Sequence, residues 1–192
     1  MNILETDGEA LLAALRTLLA RKNLVTETEI AERMEATDNA SPGQGARMVA
    51  RAWTDAEYRA LMLEDGTKAA EAMNIPMRGM PPLGVLENTA EVHNLIVCTL
   101  CSCYPRAVLG YPPFWYKSAA YRARAVRDPR GLLTEFHTTL PDGMKIHVVD
   151  STADYRWMVL PRRPAGTEGW TAEQLAAIVR EGDMVGVTIP SV

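Results

Sequence analysis

Apolar residues recur at helical spacing through the first third of the chain and then give way to short, strand-length runs. Leu11, Leu15, Leu18 and Leu19 share one face behind Thr6-x-x-Glu9, which has the form of a capping box, so a helix is predicted over residues 7–21. Asn23 ends it, and Thr26-x-x-Glu29 caps a second helix carrying Ile30 and Met34. Asp38 to Gly43 is a loop by composition, with Pro42 placed for the first turn of a helix through Val49 and Trp53. Thr54-x-x-Glu57 starts the next, with Tyr58, Leu61, Met62 and Ala69 inward. Residues 1–75 therefore read as a helical arm, whose apolar faces need covering; a partner subunit is one way to do it.

Ile75 to Leu83 holds three prolines and a glycine and marks a composition break, a candidate linker. Beyond it come β-prone runs at Gly84–Leu86, Val92–Val97, Lys145–Val149 and Tyr155–Leu160. Helical patterns interleave at Pro113–Val126, Pro129–Phe136 and Thr171–Arg180. The fold class is α+β: a helical arm over 1–75 and a layered body over 76–192.

Apolar residues at 47% and charged residues at 23% are ordinary globular values, and a net charge of −4 disfavours nucleic acid as a partner. No apolar run reaches the roughly 18 residues of a membrane span, and the first residues lack a basic stretch before an apolar core. The expectation is a cytoplasmic protein with no membrane association.

The least ordinary feature is Val97-Cys98-Thr99-Leu100-Cys101-Ser102-Cys103-Tyr104-Pro105, which contains all three cysteines of the 192-residue chain. With no fourth cysteine, a four-thiolate zinc or iron–sulfur site would need an outside ligand, and His93 stands at the wrong spacing to provide it. A thioredoxin-like reading of Cys98-x-x-Cys101 leaves Cys103 unexplained. If the amides of Ser102 and Cys103 lose their protons, those two nitrogens and the sulfurs of Cys101 and Cys103 form a planar set. Cys98 then supplies an axial sulfur, and the sixth position stays open. Thiolates are soft donors and amidates need a highly charged ion, which points to trivalent cobalt or iron over zinc. The alternative is three buried cysteines acting as small hydrophobes.

At these residues the chain resembles a known family. Cys98-Thr99-Leu100-Cys101-Ser102-Cys103-Tyr104 is similar to the claw motif of nitrile hydratase α subunits, and Thr99 with Tyr104 resembles the cobalt branch. The γ subunit of thiocyanate hydrolase shares the motif. The likeness extends through Glu87-Asn88-Thr89, Val92-His93-Asn94, Trp115-Tyr116-Lys117-Ser118, Asp150-Ser151-Thr152-Ala153 and Arg163-Pro164-Ala165-Gly166-Thr167-Glu168-Gly169-Trp170, covering residues 45–187.

The resemblance implies an α/β/β/α body of the nitrile hydratase α-subunit type. It implies one Co(III) per α subunit, with iron the weaker choice, held by Cys98, Cys101, Ser102 and Cys103. In the family Cys101 becomes a sulfinic and Cys103 a sulfenic acid, Cys98 stays an unmodified axial thiolate, and arginines of the partner chain meet the added oxygens. Catalytic roles then fall to Cys103 and Ser102, the latter through its backbone nitrogen; its hydroxyl either faces the pocket or merely favours the turn. The implied partners are a β subunit or split β-type subunits, a small-molecule nitrile, and an activator protein that inserts cobalt.

Two departures bear on substrate. Relatives carry Gln-Gly-Glu upstream where this chain reads Gly79-Met80-Pro81, and Trp-Pro after the claw where this chain has Arg106-Ala107. With Tyr104 and Arg106 as pocket candidates, a guanidinium in place of an indole favours an anionic substrate such as thiocyanate or a bulky heteroaromatic nitrile such as toyocamycin. The rival readings are a thiocyanate hydrolase γ-type subunit and a non-catalytic metal-binding subunit.

His93, His137 and His147 lack partner spacing for a metal, and His147 reads as an exposed or hydrogen-bonded strand histidine. Arg122, Arg124, Arg127 and Arg130 form a basic run that either pairs with partner carboxylates or lines a solvated helix face. Trp115 and Tyr116 belong in the core or at an interface.

Overall fold

In a computed structural model, which describes residues 8–192, the helix starts follow the capping chemistry of the sequence. Gly8–Arg21 forms α1; Thr6, half of its expected capping box, lies outside the described residues. Asn23 takes a left-handed φ of 53° and ends that run. Thr26 then caps α2 (Glu27–Asp38) through a complete box with Glu29. The chain divides into two compact units, residues up to Asn39 and Ala40–Val192. In the first, Arg16 pairs with Glu27, while Leu11, Leu12, Leu15 and Leu18 lie exposed.

The larger unit opens with α3 (Pro42–Thr54), Pro42 at its first turn. Here the sequence reading needs correction: Thr54 closes α3, its hydroxyl bonded back to the Ala50 carbonyl at 3.1 Å, and the cap of α4 (Ala56–Glu64) is Asp55, which accepts from the Tyr58 amide. Asp65 caps a further short helix, α5 (Gly66–Glu71), so the apolar stripe Tyr58–Met62–Ala69 is carried on two helices. These helices belong to the larger unit, so the break in contacts lies at Asn39/Ala40, upstream of the 75/76 boundary drawn from composition. Nor is Ile75–Leu83 a free linker, since Ile75 and Met77 are buried.

Four strands follow at the expected places: β1 (Leu83–Glu87), β2 (Val92–Val97), β3 (Lys145–Asp150) and β4 (Arg156–Leu160). They form two parallel pairs, β1 with β4 and β2 with β3, in registers that set Leu83 beside Arg156 and Val97 beside Asp150. Parallel strands cannot be joined by tight hairpins, so the intervening chain forms the crossovers. These hold α6 (Arg106–Leu109), α7 (Phe114–Lys117), α8 (Ala119–Arg127) and α9 (Pro129–Glu135); α10 (Ala172–Ala177) and α11 (Glu181–Val185) follow β4. The pattern over 113–126 is split because Ser118 caps α8 through the Tyr121 amide.

The order of layers follows from the packing. α4 and α5 lie on β1, the two strand pairs meet through β2 and β4, and α8 and α9 cover β2 and β3. Apolar side chains fill the interior: Met62, Leu95, Ile96, Met158 and Leu160 are buried, each contributing about 1.5–3 kcal/mol by transfer from water. α3 approaches α6 and α11 so closely that a Cβ at Gly45 would lie 2.7 Å from Leu109 and Met184.

Candidate metal centre

The stretch Cys98–Cys103 leaves β2 at its last residue and is tied down on every side by its own chain. Asp150, which ends the neighbouring strand, accepts from the Thr99 amide at 3.0 Å and from the Thr99 hydroxyl. Arg122 of α8 donates to the Leu100 carbonyl at 2.8 Å. Tyr116, wholly buried, donates to the Cys103 carbonyl at 2.9 Å. Beyond the loop, Tyr104 is buried with its ring edge-on to Tyr116 at 4.9 Å, and its hydroxyl donates to Glu181 at 2.6 Å. Burial, then that hydrogen bond, raises the Tyr104 pKa far above the usual phenol range, so it stays protonated.

These restraints bring the three sulfurs within 4.8 Å of one another. Cys98 and Cys101 are 3.6 Å apart and Cys101 and Cys103 3.4 Å. Sulfurs held at about 2.3 Å from one ion lie about 3.3–3.8 Å apart for right-angle to tetrahedral bonds, and both separations fall in that window. Ser102 and Cys103 follow Cys101 directly in the chain, so two main-chain nitrogens lie next to the sulfur set. The donors therefore fit a metal ion. The hydrogen bond from Cys103, with the Ser102 amide and Cys98, holds the Cys101 thiol low. Burial first, and the neighbouring thiols next, push Cys103 up to about 12.

The loop forms one wall of a cavity of about 360 Å³, which Cys101, Ser102 and Cys103 share with Met77, Met80 and Leu83. Both pocket candidates, Tyr104 and Arg106, line it, with the Arg106 guanidinium 5.2 Å from the Tyr111 ring. Gly79-Met80-Pro81, where the chain departs from its relatives, supplies two lining residues. Arg156 lines the same cavity and was missed in the sequence reading. Its signal is a charged residue opening the apolar run of β4, set next to the cavity by the Leu83 register.

The histidines stand elsewhere. His93 is buried; its Nε2–H donates to the Gly186 carbonyl at 2.7 Å and its Nδ1 accepts from Asn88 at 3.2 Å. His147 contacts Asn94 at 3.1 Å, and His137 sits exposed at a left-handed φ of 59°. Of the basic run, Arg124 pairs with Asp128 and Glu135, and Arg130 donates to the Leu140, Pro141 and Met144 carbonyls. Among the described residues no helix is long and apolar enough to cross a membrane.

The geometry agrees with what comparison with known proteins finds. The family model "Nitrile hydratase, alpha chain" matches residues 6–188. The low-molecular-weight cobalt-containing nitrile hydratase subunit alpha of Rhodococcus rhodochrous is 48% identical over 179 residues, 93% of this chain and 86% of its own length. The thiocyanate hydrolase subunit gamma of Thiobacillus thioparus is 40% identical over 196 residues, covering 96% and 81%. A solved recombinant thiocyanate hydrolase comprising partially modified cobalt centres superposes with a TM-score of 0.81 at 40% identity, over 97% of this chain and 91% of that one. A double mutant of the Fe-type nitrile hydratase from Comamonas testosteroni Ni1 gives 0.77 at 40% identity, over 96% and 92%. With the match running nearly end to end and the three cysteine sulfurs gathered at one point, the chain belongs to the nitrile hydratase alpha-chain family.

Proposed function

We propose that this chain is the cobalt-bearing α subunit of a nitrile hydratase, adding water to a nitrile to give the amide. The observation that carries the reading is the convergence of the Cys98, Cys101 and Cys103 sulfurs at one point, with Cys101, Ser102 and Cys103 lining a cavity. Cys98, Cys101, Ser102 and Cys103 hold one Co(III), and when bound it supplies a Lewis-acid position that makes a nitrile carbon electrophilic. Cys101 and Cys103 carry oxygens as sulfinic and sulfenic acid, and either the Cys103 oxygen or a water is the nucleophile. Ser102 and Arg106 present polar groups to the charge that develops on the nitrile nitrogen. Met77, Met80 and Leu83 give the cavity apolar lining and exclude water. Tyr104, engaged by Glu181, holds its proton and fixes the chain between the claw and α6.

The enzyme is a cytoplasmic hetero-oligomer in which a β subunit, or split β-type subunits, completes the pocket, and an activator protein delivers cobalt. A bulky heteroaromatic nitrile such as toyocamycin fits a cavity of this size. A second reading, a thiocyanate hydrolase γ-type subunit, is favoured by one feature: the charged side chains lining the cavity are Arg106 and Arg156, with no carboxylate among them. The test is metal analysis of the complex purified with its partner chains, followed by assays on aliphatic nitriles, heteroaromatic nitriles and thiocyanate. Cobalt with amide production supports the first reading. Cobalt with thiocyanate consumption alone supports the second, and zinc with unmodified thiols overturns both.

A further inference from the structure

Arginine side chains are seldom left with a dry, unpaired donor, because a buried nitrogen that has lost water and gained no acceptor is costly. Arg156 is such a case. Its Nη1 is buried and meets no hydrogen-bond acceptor among the described residues, although the residue opens β4 and its backbone is fixed by a 2.9 Å bond to the Pro82 carbonyl. The parallel register with Leu83 sets it in the wall of the cavity that holds Cys101, Ser102 and Cys103. A guanidinium nitrogen left unsatisfied on a residue that lines the same cavity as Cys103 calls for an acceptor there.

We propose that Arg156 is a positioning residue, whose Nη1 donates to the oxygen carried by Cys103 and holds that oxygen in place. The inference rests on the function proposed above, in which Cys103 is oxidised. It goes beyond it by giving the α chain its own cationic contact to the modified sulfur, in addition to arginines supplied by a partner. A sulfenate is otherwise prone to further oxidation or to reaction with thiols, and a charge-assisted hydrogen bond restrains both its orientation and its reactivity.

The experiment uses the full complex, expressed with partner chains and cobalt, as wild type, Arg156→Met and Arg156→Lys. Three readouts are taken: cobalt per α chain, oxygen content of the claw peptide by mass spectrometry, and the visible sulfur-to-metal absorption band, with nitrile turnover alongside. The expected result for Arg156→Met is near-normal cobalt, loss or over-oxidation of the Cys103 oxygen, a shifted band, and kcat lower by roughly 10–100-fold with a smaller change in KM, the range for losing a hydrogen bond to a charged group. Arg156→Lys, which keeps the charge, recovers part of each. If Arg156→Met keeps the wild-type peptide mass, band and kcat, the proposal is wrong. It is equally wrong if both variants lose cobalt and soluble complex together, since that marks a structural role only. A wild-type complex with an unoxidised Cys103 sinks the functional reading and this inference with it, an outcome visible before any variant is made.

Discussion

Tyr116→Phe isolates one restraint on the claw. The ring is fully buried, packed 4.9 Å from Tyr104, 5.5 Å from Tyr121 and 5.9 Å from Trp115, and phenylalanine preserves all of that. What is lost is the hydroxyl that donates to the Cys103 carbonyl at 2.9 Å. A net hydrogen bond is worth about 1 kcal/mol, and a buried acceptor left dry costs about 1–3 kcal/mol, so a loss of about 2 kcal/mol is expected. In a chain of this size, each kcal/mol moves Tm by about 2–4 °C, which predicts a fall of roughly 4–8 °C. Tyr121→Phe is the matched control, because it removes a buried hydroxyl that donates at 2.6 Å to the Ile96 carbonyl within β2. Both variants should melt early by calorimetry of the holo complex. Only Tyr116→Phe should also release cobalt faster to a chelator, because only its bond ends on Cys103, one of the proposed ligands. Equal cobalt release from the two variants, or a Tm for Tyr116→Phe within about 1 °C of wild type, would refute the argument that this hydroxyl fixes the claw.

Asp150→Asn keeps the side-chain shape but removes the charge facing the Thr99 amide and hydroxyl; cobalt affinity should fall toward the lower end of the roughly 10–100-fold seen when groups orienting ligands are lost, as read by competition with a chelator. Gly186→Ala should give little or no soluble protein on expression, since its Cβ would lie 2.0 Å from the Asn94 carbonyl oxygen at a backbone φ of 90°, placing it among the severe changes of above about 4 kcal/mol. Burial holds the His93 pKa below its ordinary 6.5, against the pull of its bond to Gly186. The unfolded chain therefore takes up a proton near pH 6.5 that the folded chain refuses. The His93 contribution to stability is complete above that pH and declines as pH falls below it toward the lower folded value. Urea midpoints from about pH 8 to 5 should show this slope in wild type and a flatter one in His93→Gln.

Much of the fold was legible because local chemistry decides it. Thr26, Pro42 and the run Val92–Val97 mark their elements in the positions observed. The misread helix boundaries share a cause: several residues in a row could cap, and the tertiary packing chose among them, passing over Thr54 for Asp55 and breaking long stripes at Asp65 and Ser118. Strand partnership was not legible at all. β1 and β2 are separated by a four-residue turn yet enter different pairs, an outcome set by which faces the crossover helices cover. The cysteine cluster was visible because Cys98, Cys101 and Cys103 are nearly contiguous. Asp150 and Arg156 were not, because only the strand registers carry them to it from fifty or so positions away. Arg122, read as part of a basic run, acts singly on the Leu100 carbonyl.

The Thr99–Asp150 clamp joins residues 51 positions apart, and this has a bearing on biosynthesis. All three cysteines leave the ribosome well before the strand that restrains them. Until that later stretch closes against β2, a loop-closure step that slows folding more than it costs stability, the thiols are exposed to adventitious divalent ions and to air. A ribosome-stalled fragment ending before Asp150 should therefore acquire cobalt poorly even though it contains all the proposed ligands.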